Sequence, residues 1–110
     1  MKEKFRPAFN GILLGFKDPA IRLQMILAML AMIAGFVLKL NIAEWIAVIL
    51  CMGLVLSTEI LNTCVEKVCD LYSKEEDERI KVIKDLAAGA VLVSAICALI
   101  TAVLILISRL

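Results

Sequence analysis

Residues Leu86 to Ser108 form an unbroken run of 23 residues without one charged side chain. At 1.5 Å per residue a helix of that length crosses the roughly 30 Å hydrocarbon core of a bilayer. Two further stretches read the same way. Leu23 to Leu40 holds only Gln24 and Lys39 as polar residues, both near its ends, and Trp45 to Thr58 holds no charge. With 63% of its 110 residues hydrophobic, the chain is well above the level of a soluble domain, where about half are apolar. The pattern predicts an all-α, integral membrane protein, a single membrane domain over 1-110 with membrane helices at 23-40, 45-71 and 86-108. Along the third span Ala87, Ala90, Ser94, Cys97 and Thr101 repeat at three- to four-residue spacing, a face suited to close helix–helix approach in lipid.

Ahead of the first span, Phe5, Phe9, Ile12, Leu13 and Phe16 recur at helical spacing among Lys2, Lys4, Arg6 and Lys17. This predicts an amphipathic surface helix over 1-17, lying in the headgroup layer. No small-residue cleavage site follows a short apolar core, so the segment is expected to be retained. Asp18 and Pro19 then read as an N-cap and a first helical residue. Lys39 to Glu44 is a short turn with Trp45 as an interfacial anchor, and Ser73 to Asp85 is a charged connection that reads as a solvated loop. Ten of the 12 basic residues fall in the N-terminal region or between Lys67 and Lys84, leaving only Lys39 and Arg109 on the other side. The positive-inside rule therefore places the N-terminus and the Glu59–Asp85 region in the cytoplasm.

Chemistry concentrates on one helical face. Glu59, Asn62, Glu66 and Asp70 fall within about 80° of one another at 100° per residue, starting where the uncharged second span ends. A carboxylate at membrane depth costs about 2.5–3.5 kcal/mol at the bilayer centre and less toward the interface. Acids held there on one face call for a cation or a metal. Asp70 reads as a structural residue, capping or pairing with Lys67 or Lys74. The chain has no His, so His-based triads and His-ligated metals are excluded. Cys51, Cys64, Cys69 and Cys97 form no C-x-x-C pair and read as small buried hydrophobes. No G-x-x-x-x-G-K-[ST] loop is present, and Gly11 and Gly15 read as helix-packing residues. Three classes fit: a metal-dependent enzyme at the inner interface, a small ion-coupled transporter or channel subunit using the Glu59/Glu66 stripe, and a non-catalytic membrane scaffold. The stripe stops at the interface, which favours the enzyme. Polar faces at that depth need protein around them, so a homo-oligomer with sites at subunit contacts is expected.

The order Glu59-x-x-Asn62-Thr63-x-x-Glu66-x-x-x-Asp70, followed by Lys84-Asp85-x-x-Ala88-x-Ala90-Val91-Leu92, resembles the prokaryotic diacylglycerol kinase and undecaprenol kinase family. Phe5-x-x-Ala8-Phe9-x-Gly11 and the Asp18-to-Arg22 segment extend the likeness over nearly the whole chain. The resemblance implies a small trimeric lipid kinase of the bacterial cytoplasmic (inner) membrane, using ATP and Mg2+ to phosphorylate diacylglycerol or undecaprenol. It implies Glu59 as general base and Glu66 as ligand of the magnesium that bridges the phosphates, with Asn62 as an orienting amide between them. Lys84 would contact phosphate and Asp85 the nucleotide, with Glu76 also touching ATP and Ala88 on the substrate side. Asp18 stands where the family usually has Glu as a second metal and ATP ligand, so it is either a ligand or only the cap before Pro19. Ile83 replaces a usual small residue. Arg22-Leu23-Gln24 lacks the Arg-Gln-Glu of the Gram-negative diacylglycerol form, which points to the Gram-positive-like branch.

Overall fold

The computed structural model describes residues 2–110, and it folds as α1 (Lys2–Gly15), α2 (Pro19–Leu38), α3 (Ile42–Tyr72) and α4 (Glu78–Ser108). Among the described residues there is no strand. Residue 1 of the expected surface helix lies outside them. Helices α2, α3 and α4 are each long and apolar enough to cross a membrane. The chain is thus all-helical, with a short amphipathic helix leading into three candidate spans.

Each of the three long helices begins earlier than its apolar run, because caps and not hydropathy set helix ends. Asp18 Oδ1 accepts from the backbone N–H groups of Ala20 and Ile21 at 2.9 and 3.1 Å, so α2 starts at Pro19 and not Leu23. Asn41 and Glu44 form a reciprocal capping box at 2.9 and 3.0 Å, which starts α3 at Ile42. Asp77 caps α4, so most of the charged stretch read as a loop is its first two turns, and only residues 73–77 connect α3 to α4. At the other boundary α1 ends at Gly15, two residues short of the expected 17, in a tight turn closed by Asp18 N–H to Gly15 O at 3.0 Å.

The packing is inverted relative to a soluble domain. The buried side chains are Ile21, Cys69 and Ile80 on the apolar side and Glu59, Thr63 and Ser94 on the polar side. Large hydrophobic residues such as Phe36, Val37, Leu92 and Leu99 are exposed along all three long helices. Water would penalise that surface at about 25 cal/mol per Å2, whereas lipid tails do not. Helices α3 and α4 form an antiparallel hairpin stitched by small polar side chains. Cys51 Sγ meets Thr101 Oγ1 at 3.4 Å, and Thr58 Oγ1 meets Ser94 Oγ at 3.3 Å. These residues lie seven apart on each helix, so two turns separate the rungs; Ser94 and Thr101 of the small-residue stripe face α3, whereas Ala90 and Cys97 are exposed. Their hydroxyls also bond carbonyls one turn back, Ser94 to Ala90 O and Thr101 to Cys97 O, leaving no lone donor in an apolar interface. Of the four cysteines, Cys69 is buried and Cys51 half-buried, but Cys64 and Cys97 are exposed, so burial holds for only part of the set.

The α2–α3 turn is equally well fastened. Lys39 takes the left-handed conformation with φ 56°, closing α2 on Gly35 and Phe36 carbonyls. Trp45 packs its ring 4.9 Å from that of Phe36 and covers Gly35, where an added Cβ would lie 2.7 Å from the indole. The residue expected as an interfacial anchor is thus also the plug of the hairpin. From the far end of α4, Arg109 donates to Leu38 O, Lys39 O and Glu44 Oε1 at 2.7, 3.1 and 2.6 Å.

Candidate active site

Helix α3 spans 31 residues, about 46 Å at 1.5 Å per residue, against a hydrocarbon core of roughly 30 Å. The helix is therefore longer than the core is thick, and its acidic face lies toward its C-terminal end. Glu59 lies about 25 Å along the axis from the start of α3, and Glu66 about 10 Å further. Glu59 is buried at 7% exposure and Thr63 one turn on at 8%, whereas Glu66 and Asp70 are exposed. Burial therefore falls from Glu59 and Thr63 to Glu66 and Asp70 along this face.

Asp18, at the head of α2, and Glu66 are the charged groups that bear on the Glu59 carboxylate, and among the described residues no donor bonds it. Asn62 lies between. Its Nδ2 donates to Glu66 Oε1 at 3.2 Å, while its Oδ1 is buried without a partner. An orphaned buried acceptor costs about 1–3 kcal/mol, so Asn62 Oδ1 marks a place where a donor or a hydrated cation is wanted. Of the two roles weighed for Asp18, the cap is present: Oδ1 accepts from Ala20 and Ile21, and Oδ2 has no hydrogen-bond partner among the described residues. The donor set is hard oxygen only, suited to magnesium, which keeps several waters and takes phosphate oxygens alongside one or two carboxylates. Among the described residues no three acidic or sulfur side chains close on a common point.

Beside this face α1, the α1–α2 corner and α3 enclose a groove of about 530 Å3. Asp18, Ile60 and Thr63 form part of its wall, and Gly11 and Gly15 of α1 border it. Nothing lies within 4 Å of a Cβ added at Gly11, so that glycine keeps open space and not a helix contact, contrary to the packing role its spacing predicts. Gly15 does pack, against Ile21 at 3.4 Å.

The α4 residues are placed unevenly. Lys84 crosses to α3 and donates to Asp70 Oδ1 at 3.0 Å. Asp70 is thus paired, as a structural residue should be, but with Lys84 and not with the nearer Lys67 or Lys74. Helical spacing favours Lys67, and Lys74 only if the helix runs on past it, but α3 ends at Tyr72, and the turn at 73–77 folds α4 back and brings Lys84 alongside. Asp85 turns to Lys81 at 2.8 Å, one helical turn away. Ala88 is exposed one turn beyond Lys84, and Glu76 is exposed in the 73–77 connection without a hydrogen-bond partner among the described residues. The structure thus brings together Asp18, Glu59, Asn62 and Glu66, sets Lys84 at their margin through Asp70, and leaves Glu76, Asp85 and Ala88 outside that cluster. The role of Asp70 had one available signal, the 14-residue separation from Lys84 across a helical hairpin.

Comparison with known proteins bears on the family. The chain matches the family described as prokaryotic diacylglycerol kinase over residues 6–106, which includes all of α2 and α3, most of α1 and nearly all of α4. It is also similar to the undecaprenol kinase of Bacillus subtilis (strain 168), at 39% identity over 79 residues, covering 72% of this chain and 64% of that protein. The chain thus spans just under two thirds of the length of that relative. By the extent of the first match, it belongs to the prokaryotic diacylglycerol kinase family.

Proposed function

We propose that the protein is a lipid kinase that transfers the ATP γ-phosphate to the hydroxyl of a membrane lipid alcohol. The observation that carries this reading is the buried, donor-free Glu59 carboxylate beside the orphaned Asn62 Oδ1, at the edge of the hydrocarbon core. A lipid hydroxyl has to be met at that depth, and nucleotide phosphates reach it from the aqueous end of α3. Glu59 accepts the hydroxyl proton as the alcohol oxygen bonds the γ-phosphorus and the bond to the β–γ bridging oxygen breaks, releasing ADP. Asn62 orients Glu66 through its amide N–H and offers Oδ1 to the incoming hydroxyl or to a metal-bound water. Glu66, with the free Oδ2 of Asp18, would hold Mg2+, which when bound neutralises triphosphate charge. Lys84 places its ammonium toward phosphate, and Asp85 and Glu76 lie on the nucleotide side. Ala88 leaves room on the same face of α4.

Undecaprenol is the acceptor we favour over diacylglycerol, because the relative at 39% identity is named an undecaprenol kinase. The distribution of basic residues supports a bacterial inner-membrane protein with its N-terminus and site in the cytoplasm. A homo-oligomer, a trimer by family likeness, would place protein around the polar face of α3, which lipid alone cannot satisfy. The transporter alternative gains no support, because α2 has no acid and those of α4 are confined to its first eight residues, so no acidic path crosses the bilayer.

The test is transfer of radiolabelled phosphate from Mg-ATP in mixed micelles offering both lipids side by side. Label should enter lipid with the wild-type protein and vanish with Glu59→Gln, and the ratio between lipids names the acceptor. Folded oligomer that labels neither lipid would refute the kinase reading.

A further inference from the structure

We infer that Asp70 is a positioning residue for the nucleotide, acting through Lys84. The inference rests on the kinase reading, in which Lys84 meets a phosphate. Lys84 sits on α4 and the acidic cluster on α3, so something must hold a long, flexible side chain across the gap. The bond from Lys84 Nζ to Asp70 Oδ1 at 3.0 Å does so, and it is the ion pair that joins these two helices at their cytoplasmic end among the described residues.

Exposure separates orientation from stability. The two side chains are 38% and 51% exposed, so as a surface ion pair they add little to the fold. The α3–α4 hairpin is already fastened by the Thr58–Ser94 and Cys51–Thr101 contacts deeper in the membrane. What the pair does is restrict one ammonium among its many rotamers. An ammonium has three donors, and Asp70 takes one, leaving two for phosphate oxygens. Asp70 therefore need not be displaced when nucleotide arrives. It is one helical turn beyond Glu66 and too far toward water to meet a lipid hydroxyl.

Direct titration of the purified oligomer with a non-hydrolysable Mg-ATP analogue tests this without requiring turnover. Asp70→Ala should weaken binding by about 3- to 10-fold, Asp70→Glu should restore most of it, and the loss should disappear in a Lys84→Met background. Melting temperature and oligomeric state should be unchanged for both Asp70 variants. Equal losses from Asp70→Ala with and without Lys84 would overturn the inference, since Asp70 would then act by another route. If Lys84→Met weakens binding but Asp70→Ala does not, the Asp70 role alone falls. If Lys84→Met is silent, the Lys84 assignment falls and takes Asp70 with it, while transfer of label to lipid by wild-type protein would still stand.

Discussion

Glu44 and Glu59 are both acids on α3, and their surroundings are opposite. Glu44 accepts from the Asn41 backbone and from Arg109, and Arg109 in turn satisfies the last carbonyls of α2. Glu59 has two other acids for neighbours, no donor among the described residues, and an amide whose oxygen is also unmet. One end of the hairpin is closed by pairing, and the other is held open with like charges facing one another. A fold seeking stability alone would pair or remove Glu59, because an unpaired charge out of water is costly. The contrast separates the polar residues that build this molecule from those held ready for a ligand.

The sharpest break in that contrast is Glu59→Gln. Removing a general base should lower phosphate transfer by about 10²- to 10⁴-fold. Binding of the Mg-ATP analogue and thermal stability should hardly move, because nothing in the chain depends on that carboxylate. A large loss of stability would place Glu59 with Glu44 among the structural acids. Glu66→Gln should have the next largest effect, roughly 10-fold or more in the magnesium concentration for half-maximal turnover, together with a fall in rate. It also replaces the acceptor of Asn62 Nδ2 with a neutral amide oxygen, so a titration of rate against magnesium separates the two roles. Recovery of wild-type rate at high magnesium would assign Glu66 to the metal alone.

At the closed end the expectation reverses. Gly35→Ala drives a Cβ to 2.7 Å from the Trp45 ring, and overpacking of this kind costs about 1–3 kcal/mol. Thermal stability in detergent should fall, while turnover per folded molecule stays at the wild-type level. A variant that keeps its stability but loses activity would show that the α2–α3 turn communicates with the site, and the division between the two ends would fail.

Much of this division was legible in the sequence, because both halves rest on short-range rules. The 23-residue uncharged run, the Asp18-Pro19 start and the helical spacing of Glu59, Asn62 and Glu66 depend only on bilayer thickness and helix period. Local capping also foretold the Asp18 side chain's bonds to Ala20 and Ile21. What was not legible depends on tertiary placement. Lys84 reaching Asp70, Arg109 reaching back to Leu38 and Lys39, and Trp45 seating on Gly35 all require the hairpins to be folded first. The extent of α4 was hidden for another reason. Its first turns are charged, and hydropathy reports where a helix meets lipid, not where its hydrogen bonds begin.

Asp77 offers the smallest and most discriminating test, because it is a fully paired acid at the open end. Its carboxylate caps α4 by accepting from the Arg79 backbone at 2.8 Å and from the Arg79 guanidinium at 3.0 Å. The guanidinium first and the backbone N–H second hold its carboxyl below the usual carboxylate range. A depressed folded-state value means that the stabilisation is complete above the unfolded value, near pH 4, and is lost as pH falls through the lower folded one. The stability gap between wild type and Asp77→Ala should therefore stay constant from about pH 8 to pH 5 and close only below about pH 4. Asn also caps helices, so Asp77→Asn should retain most of the stability without that acid dependence. Turnover at neutral pH should be unaffected by either change. If Asp77→Ala instead lowered turnover with its stability intact, pairing would no longer distinguish structure from function at this end, and the charged connection would have to be counted as part of the site.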